Sequence, residues 1–209
     1  MASHDQPAFF SLARTLRAHR SFTAEPVSDD HVALILDAAT RAPSAENRQP
    51  WHFVVVRDER RRAAIAGLMA GIWEGMAREW SRPRLDPALF DDVDRGFGGG
   101  LADAPLMVVV CGDTDLADRG VLASSIFPAV QNLLLGAHAL GLGAVLTTIA
   151  STDPGPIGEI VAAPDSLRPM AVVPIGHPAR VLGPSRRVAV GDKASLDTVG
   201  TPWPGAASS

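Results

Sequence analysis

The sequence has one cysteine, one lysine and no tyrosine among its 209 residues. The single cysteine, Cys111, excludes a disulfide within the chain, and the lack of disulfides fits a reducing cytoplasm. The six histidines and Cys111 show no spacing typical of metal ligands, so no metal site is predicted. We therefore expect a cytoplasmic protein, stabilised by its hydrophobic core and not by disulfides or a structural metal.

An excess of basic charge is also missing. Nineteen basic and 23 acidic residues give a net charge of -4, which argues against a nucleic-acid-binding protein. The longest apolar runs, such as residues 106–111, are far shorter than the roughly 20 residues needed to span a bilayer. Because the first residues have no basic end followed by an apolar run, neither a targeting nor a membrane segment is predicted.

The apolar pattern predicts the order helix, helix, strand, helix, strand, helix, strand, helix, strand and tail. The predicted helices span residues 7–18, 29–42, 58–80, 120–140 and 154–163, and the predicted strands span residues 52–57, 106–110, 144–149 and 170–175. Ser28, Asp58 and either Thr152 or Asp153 are the predicted helix caps, and Pro128 predicts a kink or a fresh start. This order predicts one domain, 1–209, with a mixed sheet, an excursion before the second strand and a tail from residue 177.

The motifs of nucleophilic and nucleotide chemistry are absent. There is no G-x-S-x-G turn, no Walker loop and no G-x-G-x-x-G between a strand and a helix. Gly141 and Gly143 follow a helix and precede a strand, so we interpret Gly141 as a left-handed helix cap. Cys111 ends an apolar strand and is interpreted as a packed thiol. The sequence therefore predicts no catalytic protein residue.

Three segments are polar in unusual ways. Arg17 and Arg20 are three residues apart at a helix end, where two guanidinium groups can converge on one anion or form a solvated basic end. Residues 43–51 place amide side chains between a helix and a strand. These amides can hydrogen-bond the edge of a heterocyclic ligand, or the segment can be only a tight connector. The pair Arg186 and Arg187 suits an anion or an exposed charge pair.

Taken together and in order, these segments resemble the FMN-dependent nitroreductase family. The matching motifs are Arg17-Ala-His-Arg20-x-Phe22, Glu25-Pro26-Val27, Arg41-Ala-Pro-Ser44-Ala-Glu-Asn47-Arg-Gln49-Pro-Trp51, Ala129-Val-Gln-Asn-Leu-Leu-Leu, His138-Ala-Leu-Gly-Leu-Gly143, Pro174-Ile-Gly-His-Pro178 and Arg186-Arg187. The loop from Pro43 to Trp51 is the most specific of them, and the motifs extend over nearly the whole chain.

The resemblance implies an α+β fold with a mixed, mainly antiparallel sheet flanked by helices. It also implies a homodimer that holds one FMN per site at the subunit interface, with the C-terminal tail extending onto the partner subunit. The cofactor-binding residues implied by the match are Arg17, Ala18, Arg20, Pro43, Ser44, Asn47, Gln49, Leu146, Thr147, Thr148, Arg186 and Arg187.

Each group of residues has a role implied by the match. Arg17 and Arg20 would bind the phosphate side, with Arg20 reaching the pyrimidine edge of the flavin, and Arg186 or Arg187 would return to the phosphate. Pro43, Ser44 and Asn47 would line the ring and ribityl chain, with Gln49 supporting their loop. Residues 146–148 would offer backbone N–H groups near flavin N5 and O4.

The implied activity is ping-pong hydride transfer from NADH or NADPH, through flavin N5, to nitro compounds, quinones or similar small electron-poor acceptors. Two alternatives stay open: the same fold with different chemistry, such as reductive dehalogenation or flavin destruction, and a flavin- or ligand-sequestering protein. Two features depart from the family. Ala18 replaces a serine that many members have, and residues 70–103, the lid in the family, match no fixed pattern. We expect Trp73, Met76 and Trp80 in this stretch to pack in a core or an interface.

Overall fold

The structure is a computed structural model that describes residues 6–148, 152–183 and 185–205. Its helices are α1 (Gln6–Thr15), α2 (Asp29–Thr40), α3 (Glu59–Ile72), α4 (Arg78–Ser81), α5 (Pro87–Arg95), α6 (Arg119–Ala139) and α7 (Gly155–Val161). Its strands are β1 (Trp51–Val56), β2 (Leu106–Asp113), β3 (Gly143–Ala144) and β4 (Leu167–Gly176). The described residues also form short 3₁₀ turns at Ala45–Asn47 and Val190–Asp192 and π turns at Trp73–Ala77 and Gly96–Gly100.

The four strands form one sheet in the order β1-β2-β4-β3, and each pair of neighbours is antiparallel. A single parallel bridge joins Ala18 to Ala144 at the β3 edge. The predicted mixed, mainly antiparallel sheet flanked by helices is therefore confirmed, and the predicted order of helices and strands is found with additional helices in the excursion.

Strand β2 is buried on both faces, which explains its continuous apolar sequence. Leu106, Val108 and Val110 pack in the core under α2 and α6, whereas the alternate residues, Met107 and Val109, pack in the core under α3 and α7. Successive strand side chains point to opposite faces, so two helical layers require apolar residues at every position. Cys111 also lies in this second core, where burial raises the pKa of its thiol to about 11, and its prediction as a packed thiol is confirmed.

Helix α6 is one unbroken helix with Pro128 inside it, so the predicted fresh start is not observed. It ends as predicted at Gly141, which has a φ of 74° and donates its N–H to the His138 carbonyl, while Leu142 donates to Ala137. Among the described residues, α6 is the one helix long and apolar enough to cross a membrane by length and composition. It is nevertheless a core helix, because it packs on α2 and the sheet.

Three local predictions are wrong. The first helix, predicted over residues 7–18, ends at Thr15, and Ala18 instead forms a β-bridge with Ala144. The third strand pairs only at Gly143–Ala144 and then at an isolated bridge between Thr147 and Val172, so its pairing is shorter than residues 144–149 and interrupted; Ile149 lies outside the described residues. The helix predicted from residue 154 begins at Gly155, and its N-cap is Pro154 instead of Thr152 or Asp153. Ser28 and Asp58, by contrast, cap α2 and α3 as predicted.

The excursion has a small core of its own. The Trp73 ring stacks on Phe97 with centroids 5.1 Å apart and lies 6.0 Å from Phe90. Asp94 accepts hydrogen bonds from two nitrogens of the Arg78 guanidinium, Nε and Nη2, and from the Trp73 indole N–H. The Arg78 and Trp73 hydrogen bonds hold the pKa of the Asp94 carboxyl well below its usual range. The packing predicted for Trp73 is confirmed.

Met76 and Trp80 do not join this core. Their side chains are 79% and 62% exposed in the single chain. Packing of these two residues at an interface therefore stays a prediction.

Candidate active site

The N-terminal arginine segment lies along the β3 edge of the sheet. Ala18 forms its parallel bridge with Ala144, and the His19 N–H donates to the Ala144 carbonyl at 3.1 Å. Gly143 makes this approach possible, because a Cβ there would lie 2.8 Å from the Cβ of His19. At the adjacent end of α6, the Thr15 hydroxyl lies 2.9 Å from Nε2 of His138.

Positive charge is concentrated around this segment. The pKa of His19 is lowered first by burial and then by the charges of His138, Arg17, Arg180 and Arg20. Cations that disfavour one another's protonation also favour an anion placed among them. This edge of the sheet is therefore suited to a ligand with a highly charged anionic group.

Arg20 points toward helix α5. Its Nη1 lies 2.8 Å from Oδ2 of Asp92, and the two side chains are only 18% and 14% exposed. Arg180, just after β4, contacts the other oxygen of the same carboxylate. Gly96 packs directly on the Arg20 side chain and Gly100 on the Arg20 carbonyl, so the turn after α5 encloses this arginine.

The C-terminal tail returns to the first arginine segment of its own chain, while its predicted contacts with a phosphate and with a partner subunit stay predictions. The Ser185 hydroxyl donates to the Arg14 carbonyl at 3.3 Å, and Nη1 of Arg186 lies 3.7 Å from Oδ2 of Asp86. Arg187 is exposed and donates to the Arg186 carbonyl. Basic residues from both ends of the chain therefore come near one another, although both tail guanidinium groups are directed to solvent or to their neighbours.

The loop before β1 is held in an unusual conformation. The Ser44 hydroxyl accepts the Gln49 N–H at 3.0 Å, its carbonyl accepts the Asn47 N–H at 3.0 Å, and the Gln49 amide donates to the Asn47 carbonyl at 3.4 Å. Glu46, Asn47 and Gln49 have φ values of 53°, 54° and 51°. Left-handed φ in three non-glycine residues stores strain, which proteins concentrate at binding sites. Pro43, Asn47 and Gln49 present exposed side chains from this loop.

Ser125 of helix α6 supports this loop from below, a role that sequence reasoning missed. Its fully buried hydroxyl accepts the Ala45 N–H at 3.2 Å. The one feature of the sequence that could have indicated this role is a serine among the apolar residues of α6. A buried hydroxyl needs a hydrogen-bond partner, so its presence there predicts a contact with another polar group.

We expect Ser125→Ala to loosen the loop and weaken FMN binding a few-fold. The change removes one hydrogen bond and leaves the Ala45 N–H without its acceptor, a loss of about 1 kcal/mol. Titration of the purified variant with FMN measures the effect. Ser124→Ala is the matched control, because the Ser124 hydroxyl is exposed and bonds only the Val121 carbonyl of its own helix. Equal affinities in the two variants would contradict this support role.

In the segment after β3, Thr147 already uses its backbone N–H and its hydroxyl in hydrogen bonds to β4. The Thr147 N–H donates to the Val172 carbonyl at 2.9 Å, and the Thr147 hydroxyl donates to the same carbonyl at 3.0 Å. Thr147 is buried, so its predicted role as a backbone donor to the flavin is corrected to a role in the sheet edge. Leu146 and Thr148 stay predicted donors.

The arginine segment and the Ser44 loop lie at opposite corners of the sheet. The loop enters β1 at Trp51, which lies opposite Gly112 of β2. Ala18 lies beside Ala144 of β3, and the pairing of β3 with β4 and of β4 with β2 aligns this position with Leu106 of β2. Six residues along β2 separate these levels by about 20 Å, and four strand spacings separate the two edges by about 19 Å. The arginine segment and the Ser44 loop are therefore far apart within one chain.

Comparison with known proteins places these features in context. A model of the nitroreductase family matches residues 13–177. A Methanothermobacter thermautotrophicus protein, whose name combines NADH dehydrogenase and NAD(P)H nitroreductase, is 31% identical over 79% of this chain and 75% of its own. The iodotyrosine deiodinase of Thermotoga neapolitana is 28% identical over 81% of this chain and 88% of its own. The crystal structure of a Desulfovibrio desulfuricans nitroreductase in complex with FMN is 29% identical, with a TM-score of 0.70 over 93% of this chain and 97% of that one.

Proposed function

The chain belongs to the nitroreductase family of FMN-dependent NAD(P)H oxidoreductases, and we propose that it reduces nitroaromatic compounds, quinones or similar small electron-poor acceptors. We further propose that the donor and the acceptor use the same site in turn, in a ping-pong cycle. The observation that carries the proposal is the match of the nitroreductase family model to residues 13–177, supported by the similarity to a nitroreductase structure in complex with FMN.

The residues present fit flavin mononucleotide. A phosphate monoester carries nearly two negative charges at neutral pH, and Arg17 and a tail arginine, Arg186 or Arg187, supply cations for it. The exposed amides of Asn47 and Gln49 offer donors and acceptors that suit a heterocyclic ring. The bound flavin would supply the redox chemistry, while the protein would supply orientation and electrostatics.

Each protein group then has a defined task. Arg20 holds positive charge at the pyrimidine edge, where it stabilises negative charge that accumulates on reduction. Each tenfold of that stabilisation is worth about 1.4 kcal/mol. Pro43, Ser44 and Asn47 orient the ring, and the hydrogen bonds of the Ser44 hydroxyl and carbonyl hold the loop in one conformation.

We propose that the site forms between two copies of the chain. The two halves of the predicted site lie at opposite corners of one sheet, and a second subunit that supplies one of them would bring both to the same flavin. Phe9, Phe10 and Leu34 are more than half exposed, and only 39% of the most apolar stretch of α6 is buried, which leaves apolar surface for a partner. The tail, with exposed Val181, would extend onto that partner.

An absorbance spectrum of the purified protein, followed by anaerobic titration with NADH and NADPH, tests this function. We expect a yellow protein whose flavin is bleached by at least one nicotinamide and regains its colour when a nitroaromatic or quinone is added. A protein that stays colourless after incubation with FMN would contradict the proposal. A yellow protein that neither nicotinamide bleaches would favour a sequestering role instead.

Reductive dehalogenation is a second candidate, which the similarity to an iodotyrosine deiodinase favours. Side chains of residues 70–103, the lid of the family, would decide between the two acceptor classes. Product analysis after anaerobic reduction separates them, because a nitroaromatic yields a hydroxylamine whereas a halogenated substrate releases halide.

A further inference from the structure

Asp92 on helix α5 is the carboxylate that the predicted flavin-binding residue Arg20 contacts. The two residues are 72 positions apart, and their 2.8 Å contact is largely withdrawn from solvent. A charged hydrogen bond in such surroundings is stronger than an exposed ion pair. Asp92 therefore fixes where the Arg20 guanidinium lies.

The same carboxylate gathers two more arginines. Arg180 contacts its Oδ1, and Nη1 of Arg95 lies 4.0 Å from that oxygen. Three positive charges around one negative charge leave an excess of two. Asp92 therefore holds these arginines together without cancelling the positive field that a flavin would meet.

The backbone after Asp92 is shaped to fit Arg20. A Cβ at Gly96 would lie 2.8 Å from the Cβ of Arg20, and a Cβ at Gly100 would collide with the Arg20 carbonyl. Both hydrogen bonds of the Arg20 side chain within the described residues start from Nη1, one to Asp92 and one to the Ala18 carbonyl. A guanidinium has five N–H donors, so Nε and Nη2 are left for a ligand.

We propose that Asp92 is a positioning residue of the flavin site, which holds Arg20 in the orientation that meets the flavin while Arg180 shares the carboxylate. The inference rests on the proposed function, since it takes Arg20 as a flavin ligand. Under this proposal, residues 92–100 help to hold the cofactor through Arg20, in addition to their expected place in the lid over the acceptor.

A double-mutant cycle tests whether Asp92 acts through Arg20. FMN dissociation constants are measured for the full-length wild type, Arg20→Ala, Asp92→Ala and the double variant, with thermal unfolding recorded for each. We expect Asp92→Ala to weaken FMN binding by about tenfold, the size of one charge-assisted hydrogen bond. In the Arg20→Ala background, Asp92→Ala should have a much smaller effect, because only the contacts of Asp92 with Arg180 and Arg95 remain.

The reduction potential of bound FMN gives a second readout that a merely structural role would not move. Asp92→Asn keeps an oxygen that accepts from Arg20 but removes the negative charge. We expect the potential to rise by about 30 mV, which corresponds to a tenfold tighter binding of reduced over oxidised flavin.

Asp94 provides the matched control for both measurements. It lies on the same helix, but its carboxylate binds Arg78 and Trp73 instead of Arg20. Asp94→Ala should leave the FMN dissociation constant within about twofold of the wild type, and Asp94→Asn should leave the potential unchanged.

The possible results separate the inference from the function on which it rests. A wild type that does not bind FMN would overturn the proposed function. A wild type that binds FMN, together with an Asp92→Ala variant of unchanged affinity, would overturn the inference alone. Additive losses in the double variant, or an equal loss in Asp94→Ala, would show that Asp92 acts only through the stability of its helix, and would also overturn it.

Discussion

A dimer that pairs an Arg17→Ala subunit with an Asn47→Ala subunit is expected to bind one FMN at wild-type affinity. Arg17→Ala in both subunits should weaken FMN binding roughly tenfold to hundredfold, because losing a charged hydrogen-bond partner costs about 1.5–3 kcal/mol. Asn47→Ala in both subunits should weaken FMN binding by up to roughly tenfold, because a neutral hydrogen bond contributes about 0.5–1.5 kcal/mol. The mixed dimer should nevertheless recover one intact site. That expectation follows from the positions of the two residues at opposite corners of the sheet.

The recovery depends on which subunit supplies each half of the site. If a site takes Arg17 from one copy and Asn47 from the other, the mixed dimer contains one site with both defects and one site with neither. If both residues of a site come from the same copy, every site carries one defect. Differently tagged subunits, refolded together and purified through both tags, give the mixed dimer, and FMN titration gives its stoichiometry and affinity.

The two homodimeric variants and the wild type are the controls for this titration. Half of the wild-type stoichiometry at unchanged affinity would support a shared site. Full stoichiometry at weakened affinity would place both halves within one subunit and would contradict the proposed interface. Unchanged affinity in both homodimeric variants would mean that the family motifs are aligned to the wrong residues.

Local signals in the sequence predicted most of the framework. Ser28 was identified as a helix cap because its hydroxyl can accept a nearby N–H, and it accepts that of His31 at 3.2 Å. Gly141 was identified as a helix end because glycine adopts left-handed φ without strain. Such features depend on residues within one helical turn, so a single sequence contains all the information they need.

Contacts between distant residues set the limit of sequence prediction. Nothing near Asp92 indicates that it meets Arg20, and nothing near Ser125 indicates that it holds the Ala45 N–H 80 residues away. The third strand was predicted too long for the same reason, because β-pairing depends on the partner strand as well as on apolar residues. The site residues themselves were identified by resemblance, and their roles toward FMN stay predictions.

Gly100→Ala is expected to lower both stability and FMN affinity, since Gly100 lies against the backbone of Arg20. A Cβ at this position would collide with the Arg20 carbonyl oxygen and lie 3.1 Å from the Ser21 hydroxyl. A backbone carbonyl cannot move aside as the end of a flexible side chain can, so either the turn or the Arg20 segment must shift. Forcing an extra methyl into such a contact costs about 1–3 kcal/mol of unfolding free energy.

Gly98→Ala, two residues earlier in the same glycine run, separates this collision from a general effect of replacing glycine. A Cβ at Gly98 would meet no atom within 4 Å, and its φ lies outside the left-handed region, so alanine fits there. We expect Gly98→Ala to unfold at the wild-type temperature or slightly above it, because alanine restricts the unfolded chain. Gly100→Ala should unfold about 2–4 °C lower for each kcal/mol lost and should need more FMN for saturation. If both variants unfold and bind alike, the turn does not press on Arg20, and the geometry that links residues 92–100 to the flavin site is incorrect.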